Sequence, residues 1–163
     1  DKRITTHVCL VARAFGADGV IYAGKKDYKL EETIKKVTDR WGGKFSVTYT
    51  NSWKKTIREW KQHGIVVHLT MYGMNVDDVI EKIKKKVGKM KDLLIVVGSE
   101  KVPIEVYDMS DFNVAIGNQP HSEIAALAIF LDRWFKGKQF KKVFSGAKIK
   151  IVPQEKGKQV RYY

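Results

Sequence analysis

Apolar positions change their period repeatedly along this chain, and each change marks an element. Val8, Val11, Ala12 and Phe15 recur at helical spacing and Gly16 ends the run. Residues 19–23 form a short strand pattern. Leu30, Ile34, Val37 and Trp41 make the stripe of a second helix, closed by Gly42 and Gly43. Residues 45–49 read as a strand, and Trp53, Ile57 and Trp60 as a third helix. A buried strand follows at 65–69. Val76, Val79, Ile80, Ile83 and Val87 then predict a helix with Asp77 and Asp78 in its first turn and lysines near its end, the polarity a helix dipole favours. Residues 93–97 are the most apolar strand. A short helix at 104–109, a strand at 114–116, a helix carrying Ile124, Leu127, Ala128 and Leu131, and a strand at 148–152 complete the pattern, before a polar, basic end.

Near-continuous apolar strands separated by helices predict an α/β fold: one domain over residues 1–163, with a mostly parallel sheet flanked by helices. Ligands in such folds gather where strands end. Three strand ends stand out, because each follows an apolar run and contains glycine: residues 69–73, 97–101 and 116–120. The last is the most informative. Gly117, Asn118, Gln119 and Pro120 place small and amide residues between a strand and a helix, so backbone amides are gathered there. The turn has neither G-x-G-x-x-G nor the Lys-Ser/Thr of a phosphate loop, and suits a largely uncharged, hydrogen-bonding ligand such as an adenine or an amino acid. The chain enters a helix almost at Asp1, where a parallel domain ordinarily opens on a strand, so a further strand is expected upstream.

Charge sharpens the picture. The 163 residues hold 31 Lys and Arg against 18 Asp and Glu, a net +13. Such an excess favours a polyanion, with RNA or DNA first; the plainer reading is a lysine-rich solvated surface of the kind heat-adapted proteins carry. Lys141 and Lys142 belong to a cluster that follows the 113–133 motif and suits a phosphate backbone. Cys9 is the single cysteine, which excludes an internal disulfide and fits a reducing, cytoplasmic compartment. No apolar run approaches the roughly 20 residues of a membrane span.

The remaining chemistry candidates are weaker. The four histidines show no metal-ligand spacing, so no metal site is expected. His121, Ser122 and Glu123 lack the G-x-S-x-G elbow of a nucleophile, and Pro120 and Ser122 read more simply as helix-start residues. Glu100 and Lys101 line a pocket or form a solvated pair. Tyr72 stacks on a base or packs in the core. The four tryptophans lie on apolar stripes and read as core.

Several strings together resemble one family. They are Thr5, Thr6, His7 and Val8 followed by residues 12–19 (Ala-Arg-Ala-Phe-Gly-Ala-Asp-Gly); residues 68–73 (His-Leu-Thr-Met-Tyr-Gly); residues 97–103 (Val-Gly-Ser-Glu-Lys-Val-Pro); and residues 116–123 (Ile-Gly-Asn-Gln-Pro-His-Ser-Glu). In this order they resemble the archaeal tRNA (cytidine-56)-2'-O-methyltransferases of the SPOUT class, over about residues 3–153. The resemblance implies a deep trefoil knot near the C-terminus, S-adenosylmethionine as methyl donor, a homodimer, and the ribose of a T-loop cytidine of tRNA as substrate. The positions matching the family's donor-clasping loops are Leu69; Val97, Gly98, Ser99, Glu100 and Lys101; and Ala115, Ile116, Gly117, Asn118, Gln119, Pro120, His121 and Ser122. Arg3 matches the basic stretch from which the family's catalytic arginine comes, although the family pattern has further arginines upstream of Asp1. Arg13, on the first helix, packs or contacts a tRNA phosphate. Two other readings stay open: a non-catalytic RNA-binding protein on the same scaffold, and a nucleotide-hydrolysing α/β enzyme, which the lack of a P-loop opposes.

Overall fold

The computed structural model describes residues 2–90, 92–98 and 101–163. Helices α1 (Lys2–Ala14), α2 (Tyr28–Trp41), α3 (Trp53–Trp60), α4 (Val76–Val87), α5 (Ile104–Met109) and α6 (Glu123–Phe135) alternate with strands β1 (Gly19–Tyr22), β2 (Ser46–Tyr49), β3 (Gly64–Asn75), β4 (Asp92–Val97) and β5 (Phe112–Ala115). A hairpin, β6 (Ile149–Ile151) with β7 (Val160–Tyr162), ends the chain. Caps fix several helix starts. Asp27 accepts from the Leu30 N–H, Ser52 from Lys55, Asn75 from Asp77 and Ser122 from Ala125.

Three expectations are corrected. First, the parallel strands do not form one continuous sheet. They divide into a pair, β1-β2, and a triple, β4-β3-β5. The two parts meet through helices instead of a ladder: Val20 of β1 and Ile95 and Val97 of β4 pack on the same cluster of Ala12, Leu127 and Leu131. Second, β3 runs well past residue 69, to Asn75. Its pairing with β5 breaks after Leu69 and resumes at Met74, so that Leu69 and Met74 both lie opposite Val114. Residues 70–73 are the slack between these two registers. A sequence pattern cannot show this, because the slack depends on which neighbour the strand meets. Third, the tail is an antiparallel hairpin, with Ile149 opposite Tyr162. β7 is mostly exposed and therefore lacks an apolar pattern.

The alternation along β3 sorts the helices. Ile65, Val67 and Leu69 join Val76, Ile80, Ile83 and Val87 of α4 and Phe130 of α6 in the largest core cluster. The intervening Val66 and His68 are also buried, and α3 and α5 pack against the same strand. β3 is thus covered on both faces, which is why its first half reads as unbroken apolar sequence. A second cluster joins Cys9 of α1 and Leu30 and Ile34 of α2 to Tyr22 of β1. The tryptophans are half-buried, and Trp134 stacks on Phe130 with ring centroids 6.2 Å apart.

Candidate functional site

The register of the triple sheet brings the three glycine-bearing strand ends together. Leu69 lies opposite Val97 on one side and Val114 on the other. All three strands are parallel, so the chain leaves each of them at the same edge. The segments after Leu69, Val97 and Ala115 are therefore neighbours, although nearly 50 residues separate the first from the last. Ser99 and Glu100 lie outside the described residues; Gly98 and Lys101 flank them, the lysine exposed. A Cβ at position 98 would overlap a methyl group of Val102.

Asn118 ties two of the three segments. Its amide nitrogen donates to the carbonyls of Met71 at 2.7 Å and Gly73 at 3.0 Å. Gly73 lies so close to the backbone of Asn113 and Val114 that a Cβ there would collide with both. Gly117 adopts φ +72° with open space where a Cβ would stand, the conformation that favours glycine. Among the described residues, the N–H groups of Gly117, Asn118 and Gln119 make no backbone hydrogen bond. They remain available to a ligand, next to buried Leu69 and Ala115 and half-buried Ile116.

His121 closes the turn. Its Nε2 lies 2.7 Å from the Ile116 carbonyl and its Nδ1 3.0 Å from that of Ser122. Two carbonyls facing two ring nitrogens favour the doubly protonated ring. The Ile116 carbonyl first, and the Ser122 carbonyl second, raise its pKa above the ordinary histidine value. That arrangement leaves no lone pair free for general-base work. Ser122 accepts from the Ala125 N–H and caps α6, the helix-start role expected of it. Pro120 and Gln119 are exposed on the same turn.

A buried polar network under these loops escaped the sequence reading. Asn113 donates from its amide nitrogen to the Tyr107 carbonyl and presents Oδ1 to His68 Nδ1 at 2.9 Å. The Tyr107 hydroxyl meets Thr70 Oγ1 at 2.9 Å, and its ring lies edge-on to His68. Because the Asn113 oxygen faces Nδ1, that nitrogen carries the proton, and Nε2 is a buried acceptor without a partner among the described residues. Burial pushes the His68 pKa below its ordinary value, so the ring is neutral. The histidine was visible in sequence; its partners 39 and 45 positions away were not.

The cationic candidates fall elsewhere. Arg3 is exposed in the first turn of α1. Arg13 is buried at the far end of that helix, with Nη2 on the Gly42 carbonyl at 2.6 Å. Lys141 and Lys142 are exposed past the C-terminal end of α6. The 13-residue α6, about 20 Å long, lies in sequence between them and the 117–122 turn, which precedes its other end. Among the described residues, no three His, Cys, Asp or Glu side chains gather, and no helix is long and apolar enough to cross a membrane.

Comparison with solved structures shows that this fold is shared with methyltransferases of the SpoU/TrmH type. The TrmH/SpoU tRNA modifying enzyme of A. aeolicus superposes with a TM-score of 0.63 at 15% identity, over 86% of this chain and 72% of that one. The SpoU methyltransferase AviRb from Streptomyces viridochromogenes, in complex with the cofactor AdoMet, gives 0.62 at 15% identity, over 85% of this chain and 54% of that one. At such identities the likeness is one of fold.

Sequence comparison narrows the class. Residues 41–161 match the family described as tRNA ribose 2'-O-methyltransferase, aTrm56. The tRNA (cytidine(56)-2'-O)-methyltransferase of Thermococcus kodakarensis is 61% identical over 98% of this chain and 89% of its own length. That of Pyrococcus horikoshii is 59% identical over 98% and 78%. The chain belongs to the tRNA ribose 2'-O-methyltransferase family.

Proposed function

We propose that this chain methylates the ribose 2'-hydroxyl of cytidine 56 in the T-loop of tRNA, with S-adenosylmethionine as donor. The observation that carries the reading is the meeting of the three strand ends, latched by Asn118, in a chain 61% identical to a relative bearing that activity in its name. The residues fit the donor. Unpaired amides at 117–119 suit the edge of an adenine, and Leu69, Ala115 and Ile116 offer apolar surface beside them. Val97, Gly98 and Lys101 form the neighbouring wall.

When bound, S-adenosylmethionine supplies a methyl group already activated on a positively charged sulfur. The protein's work is then to orient the ribose hydroxyl, keep the reacting centre dry and help in removing the hydroxyl proton. Asn118 holds the loops in one arrangement, which limits the reorganisation left for the reaction. Neither histidine at the loops suits the proton step. His121 has both nitrogens turned to carbonyls, and His68 is buried. Arg3 is the residue we assign to assisting that step, on the strength of the family resemblance of its stretch: its charged guanidinium donates to the ribose oxygen and stabilises it as the proton is lost to solvent.

The same reading includes a homodimer and a deep trefoil knot in the C-terminal part. Exposed apolar side chains on the 70–74 segment, Tyr72 at 75% and Met74 at 63%, support a partner surface there. The reading also includes a cytoplasmic location, which a tRNA substrate supports.

The test is to incubate the protein with unmodified tRNA transcript and S-adenosylmethionine and to map methylated nucleotides by mass spectrometry. One methyl on the ribose of cytidine 56 is expected. Tight tRNA binding with no methyl transferred would overturn the enzymatic reading.

A further inference from the structure

Arg13 is a buried cation without an anion. It is 7% exposed, and among the described residues no carboxylate lies within 4.0 Å of it. Nη2 donates to the Gly42 carbonyl at 2.6 Å, and Cζ sits 4.7 Å from the centre of the Phe144 ring. Nε has no hydrogen-bond partner among the described residues. Burying a guanidinium on a carbonyl and a ring face alone leaves much of its desolvation cost unmet. Burial accordingly lowers its pKa, but an arginine stays charged.

The same side chain lines a cleft of about 180 Å³. At roughly 30 Å³ per water, this is space for a tetrahedral oxyanion with a few waters. Two more cations reach the cleft. Lys44 and Lys142 line it and are exposed, and Lys142 Nζ lies 5.4 Å from the same Phe144 ring. Asp18 is the acidic group on its rim. The walls are fixed by backbone. Gly42 and Gly43 have φ of +92° and +85°, the Gly43 N–H donates to the Ser145 carbonyl at 2.8 Å, and a Cβ on Gly42 would meet the Phe144 carbonyl oxygen at 2.7 Å. The cleft is thus a preformed cationic socket, about one α6 length from the donor loops.

We propose that this socket, Arg13 with Lys44 and Lys142, is a subsite for a backbone phosphate of the RNA substrate, distant from the methylated nucleotide. The proposal rests on the tRNA reading above. A phosphate there supplies the missing counterion of Arg13 and registers the RNA on the protein, while the donor loops act several nucleotides away.

Two measurements test it. In the first, the Arg13 Nε–Hε signal is followed by NMR while inorganic phosphate, and separately unmodified tRNA, is added. The signal should move with phosphate, and tRNA should abolish that response. In the second, tRNA affinity is measured from 50 to 300 mM salt for the unaltered chain and for Lys44→Ala with Lys142→Ala. Both lysines are exposed, so the melting temperature should stay within about 2 °C. The slope of log affinity against log salt should fall by about 1 to 2, and affinity by about tenfold at low salt. An unchanged slope and affinity with a phosphate-responsive Arg13 would make this a free-phosphate site and overturn the RNA subsite. An Arg13 signal indifferent to both additions would overturn it as well. Failure of the underlying reading looks different: the unaltered chain would itself transfer no methyl to tRNA.

Discussion

The side-chain amide of Asn118 holds the Gly73 carbonyl at 3.0 Å across 45 positions of sequence, and the Met71 carbonyl at 2.7 Å. One side chain thereby fixes the slack of β3 against the turn after β5. Replacing it with alanine removes two hydrogen bonds of about 1 kcal/mol each. S-adenosylmethionine affinity by calorimetry should fall about tenfold or more. Asn118→Asp should do no better, because a carboxylate cannot donate to carbonyls. Wild-type affinity in either variant would remove the latch from the donor site.

Gly73→Ala should destabilise the fold itself. The added carbon would enter the space of the Asn113 backbone, which β5, paired to β3 and anchored by wholly buried Val114 and Ala115, cannot readily vacate. We expect about 3 kcal/mol or more in urea denaturation. Gly117→Ala is the contrast. Open space surrounds that position, so only the positive φ is penalised, by about 1 kcal/mol.

Two histidines should titrate in opposite directions, read by proton NMR between pH 5 and 8. His68, depressed by burial, binds its proton more weakly when folded than when unfolded. Its contribution to stability is intact above the ordinary pKa near 6.5 and is lost as pH falls below it. His121 is raised by the Ile116 and Ser122 carbonyls. Its contribution is present below the unfolded pKa and fades as pH rises through the folded one. Because His121 is exposed, the His68 effect should dominate, and urea stability should decline towards pH 5. Asn113→Ala should remove the favourable contact to Nδ1 and lower the His68 pKa further.

Cys9 should be inert to thiol reagents in the native protein. It is wholly buried between α1 and the β1-β2 pair, and burial pushes its thiol up to about 11. Reaction with a disulfide reagent at pH 8 should follow the rate of unfolding and accelerate sharply in urea. Rapid labelling without denaturant would show that this cluster opens locally.

The sequence by itself determined the elements and the edge at which the site lies. Helical and strand periods placed nearly every element, because burial on one face or two leaves a direct mark on local pattern. Glycines after three apolar strands named the loops, and the strings around them named the family. Tertiary structure alone decided the rest. Pairing of Leu69 with both Val97 and Val114 made three loops neighbours. The slipped register of β3 turned residues 70–73 into a segment that Asn118 can latch. The split into two sheets, the hairpin at the end of the chain, and the socket joining Arg13 to Gly42 and Phe144 were equally silent in sequence. The reason is common to all of them. Local pattern records how deeply a residue is buried, whereas a hydrogen bond or ion site between distant segments depends on chain crossings that leave no period behind.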